Sequence, residues 1–133
     1  QHKFFRLKIP SSYISDPHLQ FMSANSLERD DVVVAISQSG TTTALIESVK
    51  IVRKNGAKVI GIMPGETPLA NICDFPLTIN VGINNRISKP VTSRIAYTAV
   101  IDVLTMGVAQ LKPEAQDHLY NIADSQRSLK IDN

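Results

Sequence analysis

The sequence predicts an α/β fold built on a parallel sheet. Two apolar, mostly β-branched runs, Val32 to Ile36 and Lys58 to Ile62, enclose an amphipathic helical pattern of about 14 residues, which is a βαβ unit. A third run, Phe75 to Val81, follows. Runs that are continuously apolar rather than alternating belong to parallel strands buried on both faces. At 133 residues the chain is expected to form one domain around one hydrophobic core.

Taken in order, Phe4, Phe5, Leu7 and Ile9 with Lys3, Arg6 and Lys8 read as the last turn of a helix closed by Pro10. Ser11 to Ser15 is a short strand candidate. Asp16-Pro17 then supplies an N-cap and a proline at the first helical position, starting a helix to about Leu27 whose stripe is Leu19, Met22, Ala24 and Leu27. The polar turn Arg29-Asp30-Asp31 leads into the first buried strand. After it, Leu45, Ile46, Val49 and Val52 share one helical face, and Arg53, Lys54 and Asn55-Gly56 end that helix. A turn at 64–68 precedes a short helical piece from Leu69 to Cys73, where Cys73 packs as a small hydrophobe. Gly82 to Pro90 is an exposed loop at the ligand side of the sheet. Thr92 or Ser93 caps a long helix with a wide stripe of Ile95, Ala96, Ala99, Val100, Val103, Leu104, Val108 and Leu111. Pro113 breaks it, and a weaker helix runs from Glu114 to about Ser128.

Composition narrows the function. A net charge of +2, with dispersed lysines and arginines, is no footprint for gripping DNA. No segment reads as the ~20 apolar residues of a membrane span, and no signal peptide is visible, so the expected location is the cytoplasm. The single cysteine, Cys73, allows no internal disulfide and no metal cluster, and no cofactor is expected.

The chemistry concentrates after the first strand. In Ser37-Gln38-Ser39-Gly40-Thr41-Thr42-Thr43, six of seven residues carry a hydroxyl or lack a side chain, and a helix begins at their end. Such a turn gathers backbone N–H groups, hydroxyls and the positive helix end at one point, which suits an anion. On chemistry alone the stretch is equally a solvated helix cap. Neither GxxxxGK[ST] nor GxGxxG occurs, so the ligand expected here is a small phosphorylated molecule rather than a nucleotide.

Ser37-Gln38-Ser39-Gly40-Thr41-Thr42 after a hydrophobic strand resembles the SxSGxT signature of sugar isomerase (SIS) domains, which bind phosphosugars. The resemblance implies that Ser37, Ser39 and Thr42, with loop N–H groups, hold the sugar phosphate, supported by Gln38 and Gly40. Further segments, Ser15-Asp16-Pro17-His18, Asp31 to Thr43, 56–62, Pro68-Leu69-Ala70, and Ser93 to Ala96 with Val100-Ile101-Asp102, resemble the C-terminal effector domain of RpiR-type bacterial transcription regulators. This implies a three-layer α-β-α sandwich with a flavodoxin-like parallel sheet, an N-terminally shortened SIS domain over 1–133, and a phosphosugar effector. By this resemblance the family's first strand and its Ser/Gly-rich loop are expected to be missing from these residues. DNA would be bound only through a helix-turn-helix domain outside these residues.

Other residues carry two readings each. His18 is a capping or surface histidine, or a hydrogen-bonding partner of a sugar hydroxyl. Arg94 meets phosphate or sugar, or makes a surface salt bridge; its fork suits phosphate but a helix start disfavours a cation. Arg86 and Lys89 read as solvated loop charges. Two functions follow: a non-enzymatic sensor in a regulator, or an aldose–ketose phosphosugar isomerase, which needs a base. Of Glu28, Glu47, Glu66 and Glu114, only Glu47 lies near the loop in sequence, and no histidine partners it, so the sensor is preferred and no catalytic residue is assigned. The wide stripe from Ile95 to Leu111 and the tail's apolar face predict a homo-oligomer, a dimer or tetramer.

Overall fold

The computed structural model describes residues 1–80, 89–112, 114 and 118. Their elements are α1 (His2–Phe5), α2 (Pro17–Ser26), β1 (Val32–Ile36), α3 (Thr43–Lys54), β2 (Lys58–Met63), α4 (Pro68–Ile72), β3 (Phe75–Thr78) and α5 (Lys89–Leu111). They fall into two compact units, one of residues 14–97 and one of residues 1–13 with 98 onward.

The larger unit contains the predicted parallel α/β architecture. Its sheet has the order β1-β2-β3, with Val33 opposite Val59 and Ala35 opposite Gly61 in one parallel pair, and Gly61 opposite Pro76 in the other. Alternation along the strands sends Val33, Ala35, Val59 and Met63 to one face. There they join Val49 and Val52 of α3, Leu69 of α4 and Ala24 of α2 in the core. Cys73 packs against this core as expected, and burial, with Asp74 beside it, pushes its thiol up.

The opposite face departs from the sequence reading. Val32 and Ile36 at the two ends of β1 are exposed, as are three of the four residues of β3, so these strands are not buried on both faces. The physical reason is position: β1 and β3 are the edges of the described sheet, and only central β2 is nearly enclosed. β3 tolerates Pro76 for the same reason, because an edge strand can spare an amide. The strand expected at Ser11 to Ser15 does not form; no ladder pairs with it among the described residues.

In α2, Asp16 accepts the Leu19 N–H at 2.9 Å, as its N-cap position predicts. The stripe is shifted, however. Ala24 is buried and Leu27 packs on the core, while Leu19 and Met22 are exposed. Small Ala24 admits close approach, and its carbonyl accepts from the Asn55 side chain at 3.1 Å. Helix α5 begins at Lys89, so Thr92 and Ser93 lie inside it rather than capping it, and Lys89-Pro90 is helix rather than loop. Proline fits the first turn, where its missing N–H costs nothing. The rest of the expected 82–90 loop, the end of the third strand at Val81 and nearly all of the 114–128 helix lie outside the described residues.

In the smaller unit, Gln1 and Ser11 exchange hydrogen bonds, Leu7 is buried, and Lys3 pairs with Asp102. In the part of α5 that belongs to this unit Thr105 is buried, whereas Ala99, Val103 and Met106 form an exposed apolar line; in the part that belongs to the larger unit Ser93 and Tyr97 are buried and Ile95 is exposed. By length and composition residues 92–111 are sufficient to cross a membrane, which the sequence reading had not found. Arg94 and Asp102 lie inside that stretch, and each is costly in hydrocarbon.

Asp74 ties β2 to β3. Its carboxylate accepts the Val59 N–H at 2.9 Å and faces Lys58 and Arg53, with the side chain only 16% exposed. The Val59 bond first, then Lys58 and Arg53, outweigh partial burial and hold its pKa below the ordinary value. A carboxylate depressed in the fold stabilises it fully above the unfolded value of about 3.9, and that contribution fades as pH falls toward the folded pKa. The urea midpoint is therefore expected to drop between pH 5 and pH 3 more in the wild type than in Asp74→Asn; parallel profiles would refute this role.

Candidate functional site

The site starts where β1 ends. The Ser37 N–H makes a last rung to the Ile62 carbonyl at 3.0 Å, and the chain then leaves the sheet. Gly40 turns it at φ +64°, a left-handed conformation that favours glycine. The turn is closed from within. Ser37 Oγ accepts the Gly40 N–H at 3.0 Å, and Ser39 Oγ accepts the Thr41 N–H at 3.2 Å and the Thr41 hydroxyl at 3.0 Å. Ser37 Oγ also stands 3.5 Å from Thr42 Oγ1.

Helix α3 opens at the far side of this turn, and its N-terminus differs from those of α2 and α4. Asp16 and Thr67 each accept an N–H of the helix they cap, but the Thr42 side chain makes no such bond. The first-turn N–H groups of α3, at the helix's positive end, thus receive no side-chain bond from the residue at their N-cap. Ala44 and Leu45, at that end, line a cavity of about 470 Å³ with Ile36, Ser37, Gln38, Ser39 and Thr42. Ser15, Pro17 and Gln20 form its other wall. Among the described residues no lining side chain is charged, so an anion held here would rest on hydroxyls, amides and the helix end.

The SIS domain family profile matches residues 1–107 of this chain. The chain belongs to the SIS domain family. Over 132 residues it is 35% identical to the HTH-type transcriptional regulator HexR of Escherichia coli K12, covering 98% of this chain and 46% of that protein. Identity to the HTH-type transcriptional regulator RpiR of the same organism is 31% over 115 residues, 86% of this chain and 39% of that protein. The chain thus spans less than half the length of these relatives. In fold it is similar to Vibrio vulnificus NanR complexed with ManNAc-6P, with a TM-score of 0.84 at 21% identity, over 98% of this chain and 50% of that one.

Within this SIS domain, the structure brings Ser37, Gln38, Ser39 and Thr42 to one cavity, with Gly40 buried behind them. Ser37 is only 7% exposed, so its hydroxyl serves the loop's interior at least as much as the cavity. His18 is exposed on the first turn of α2 and does not line the cavity; Arg94 is exposed on α5 and does not line it either. Glu47 is exposed and pairs with Lys50 at 2.7 Å. Arg86 lies outside the described residues. Sequence reasoning missed Ser15 and Gln20. The signal available was Asp16-Pro17, which starts a helix and so brings its flanking residues to the end of the sheet where β1 finishes.

Proposed function

We propose that this SIS domain binds a phosphorylated sugar at the 37–42 loop and is the effector domain of an RpiR-type transcription regulator. The observation that carries this reading is the α3 N-terminus, which its N-cap residue Thr42 does not bond and which opens on a hydroxyl-lined cavity. A phosphate supplies the missing cap there, with Ser39 and Thr42 as hydroxyl donors and Gln20 and Gln38 within reach of sugar hydroxyls. Relatives named as HTH-type regulators, and a NanR of the same fold complexed with a sugar phosphate, support it. DNA binding belongs to a helix-turn-helix domain outside these residues, and the setting is the bacterial cytoplasm. No chemistry is required of the domain: a ligand that binds two arrangements unequally shifts their populations.

The test is thermal unfolding with a panel of hexose and amino-sugar phosphates. At a hundredfold excess over Kd, the matching ligand stabilises the domain by about 2.7 kcal/mol. Ser39→Ala/Thr42→Ala is expected to abolish that shift. Silence across the panel would sink the reading, and phosphosugar turnover lost in Glu47→Gln would replace it with an isomerase.

The exposed line Ala99, Val103 and Met106 is the surface we assign to a second copy of the chain. Light scattering is expected to give a dimer or tetramer, reduced to monomer by Val103→Asp/Met106→Asp. A wild type that stays monomeric at high concentration contradicts the assignment.

A further inference from the structure

The anion loop is held by two residues that do not line its cavity. Thr67, at the N-cap of α4, is 8% exposed, and its hydroxyl is fixed twice: it donates to the Pro64 carbonyl at 3.1 Å and accepts the Ala70 N–H at 3.3 Å. With the hydroxyl fixed, the whole side chain is pressed onto Gly40. A Cβ built on that glycine would meet Thr67 Oγ1 first and would lie 2.5 Å from Thr67 Cβ and 2.7 Å from Cγ2. The next turn adds a rung, the Leu69 N–H donating to the Gly40 carbonyl at 3.1 Å. Tyr97 on α5 is 5% exposed, and its hydroxyl donates to the Ser37 carbonyl at 3.4 Å.

The backbone accounting is then complete at both ends of the turn. Ser37 donates its N–H to β2 and accepts a hydrogen bond at its carbonyl from Tyr97; Gly40 donates its N–H to Ser37 Oγ and accepts one at its carbonyl from Leu69. Between these fixed points lie Gln38 and Ser39, exposed toward the cavity. We propose that Thr67 and Tyr97 are positioning residues that set the 37–42 turn so that Ser39, Thr42 and the α3 amides converge on one phosphate. This rests on the ligand reading above and adds that affinity for the phosphate is controlled from behind the loop.

The test titrates the chain with inorganic phosphate, following backbone amide NMR shifts of residues 39–45, and measures amide exchange and thermal unfolding on the same samples. Tyr97→Phe keeps the ring and loses the bond. Thr67→Ser keeps the cap and loses the methyl on Gly40, whereas Thr67→Val keeps the methyl and loses the cap. Tyr97→Phe and Thr67→Ser are each expected to weaken phosphate about five- to tenfold, roughly the worth of one such contact. Gly40 and Thr41 amides should exchange faster while Val33 and Ala35 stay protected. Thr67→Val should show the reverse split, with a lower midpoint and nearly wild-type affinity. Wild-type binding that is unchanged in Thr67→Ser and Tyr97→Phe overturns this inference alone. Failure of the wild-type amides to respond to phosphate overturns the ligand reading and this inference with it.

Discussion

Gly40→Ala is expected to lower stability by about 2–5 kcal/mol and to abolish phosphate-ligand binding. Two independent penalties meet at this residue. A left-handed φ costs an L side chain about 1–2 kcal/mol, and an added methyl with no room costs about 1–3 kcal/mol. Here the room is taken by Thr67, whose atoms would stand 2.3–2.7 Å from the new Cβ. Thr67 cannot rotate away without giving up both hydrogen bonds of its hydroxyl. Gly56→Ala is the internal control. At φ +90° its conformation is also left-handed, but the nearest atoms of Arg29 are 3.6 Å away, so only the backbone penalty applies. Urea unfolding of both variants separates the terms, and equal losses would refute the packing argument.

Ser37→Ala is expected to cost about 1–3 kcal/mol, the range for a buried donor stripped of its acceptor. The donor is the Gly40 N–H, and Ser37 Oγ is its partner at 3.0 Å in a site only 7% exposed. Loss of the closed turn carries a loss of phosphate affinity of tenfold or more with it. Ser39→Ala provides the contrast. Ser39 is exposed and accepts from the neighbouring Thr41, so its removal should leave stability within about 0.5 kcal/mol while still weakening the ligand. Paired thermal midpoints and phosphate titrations decide the matter; a Ser37→Ala midpoint equal to that of Ser39→Ala would contradict the buried-acceptor role.

What the sequence made legible was local. The βαβ unit follows from apolar runs and helical spacing that any window of the chain contains, and the loop follows from a hydroxyl-rich junction whose SxSGxT spacing resembles SIS domains. What it hid depends on partners distant in sequence. Leu19 and Met22 have the right spacing for a buried face, yet Ala24 and Leu27 take that place because α2 meets α3 through its smallest residue. Thr67 and Tyr97 support the loop from 27 and 60 positions away, and neither stands out by type or spacing. Val32 and Ile36 read as core because β-branched runs usually are, whereas exposure is set by which neighbours flank the strand.

The sheet's two edges are unequal in one further respect. The Ile79 N–H points inward to the Met63 carbonyl at 2.8 Å, so the two-residue alternation turns Phe75 and Leu77 inward as well and leaves Pro76 facing outward. The missing amide therefore falls on the rim of β3, where an incoming strand would look for donors. Proline at such a rim is a guard against edge-to-edge aggregation. The rim of β1 has no such interruption, since every residue of Val32–Ile36 keeps its amide. Of the two edges of the described sheet, only the β1 side offers an additional strand, from this polypeptide or another, an unbroken ladder.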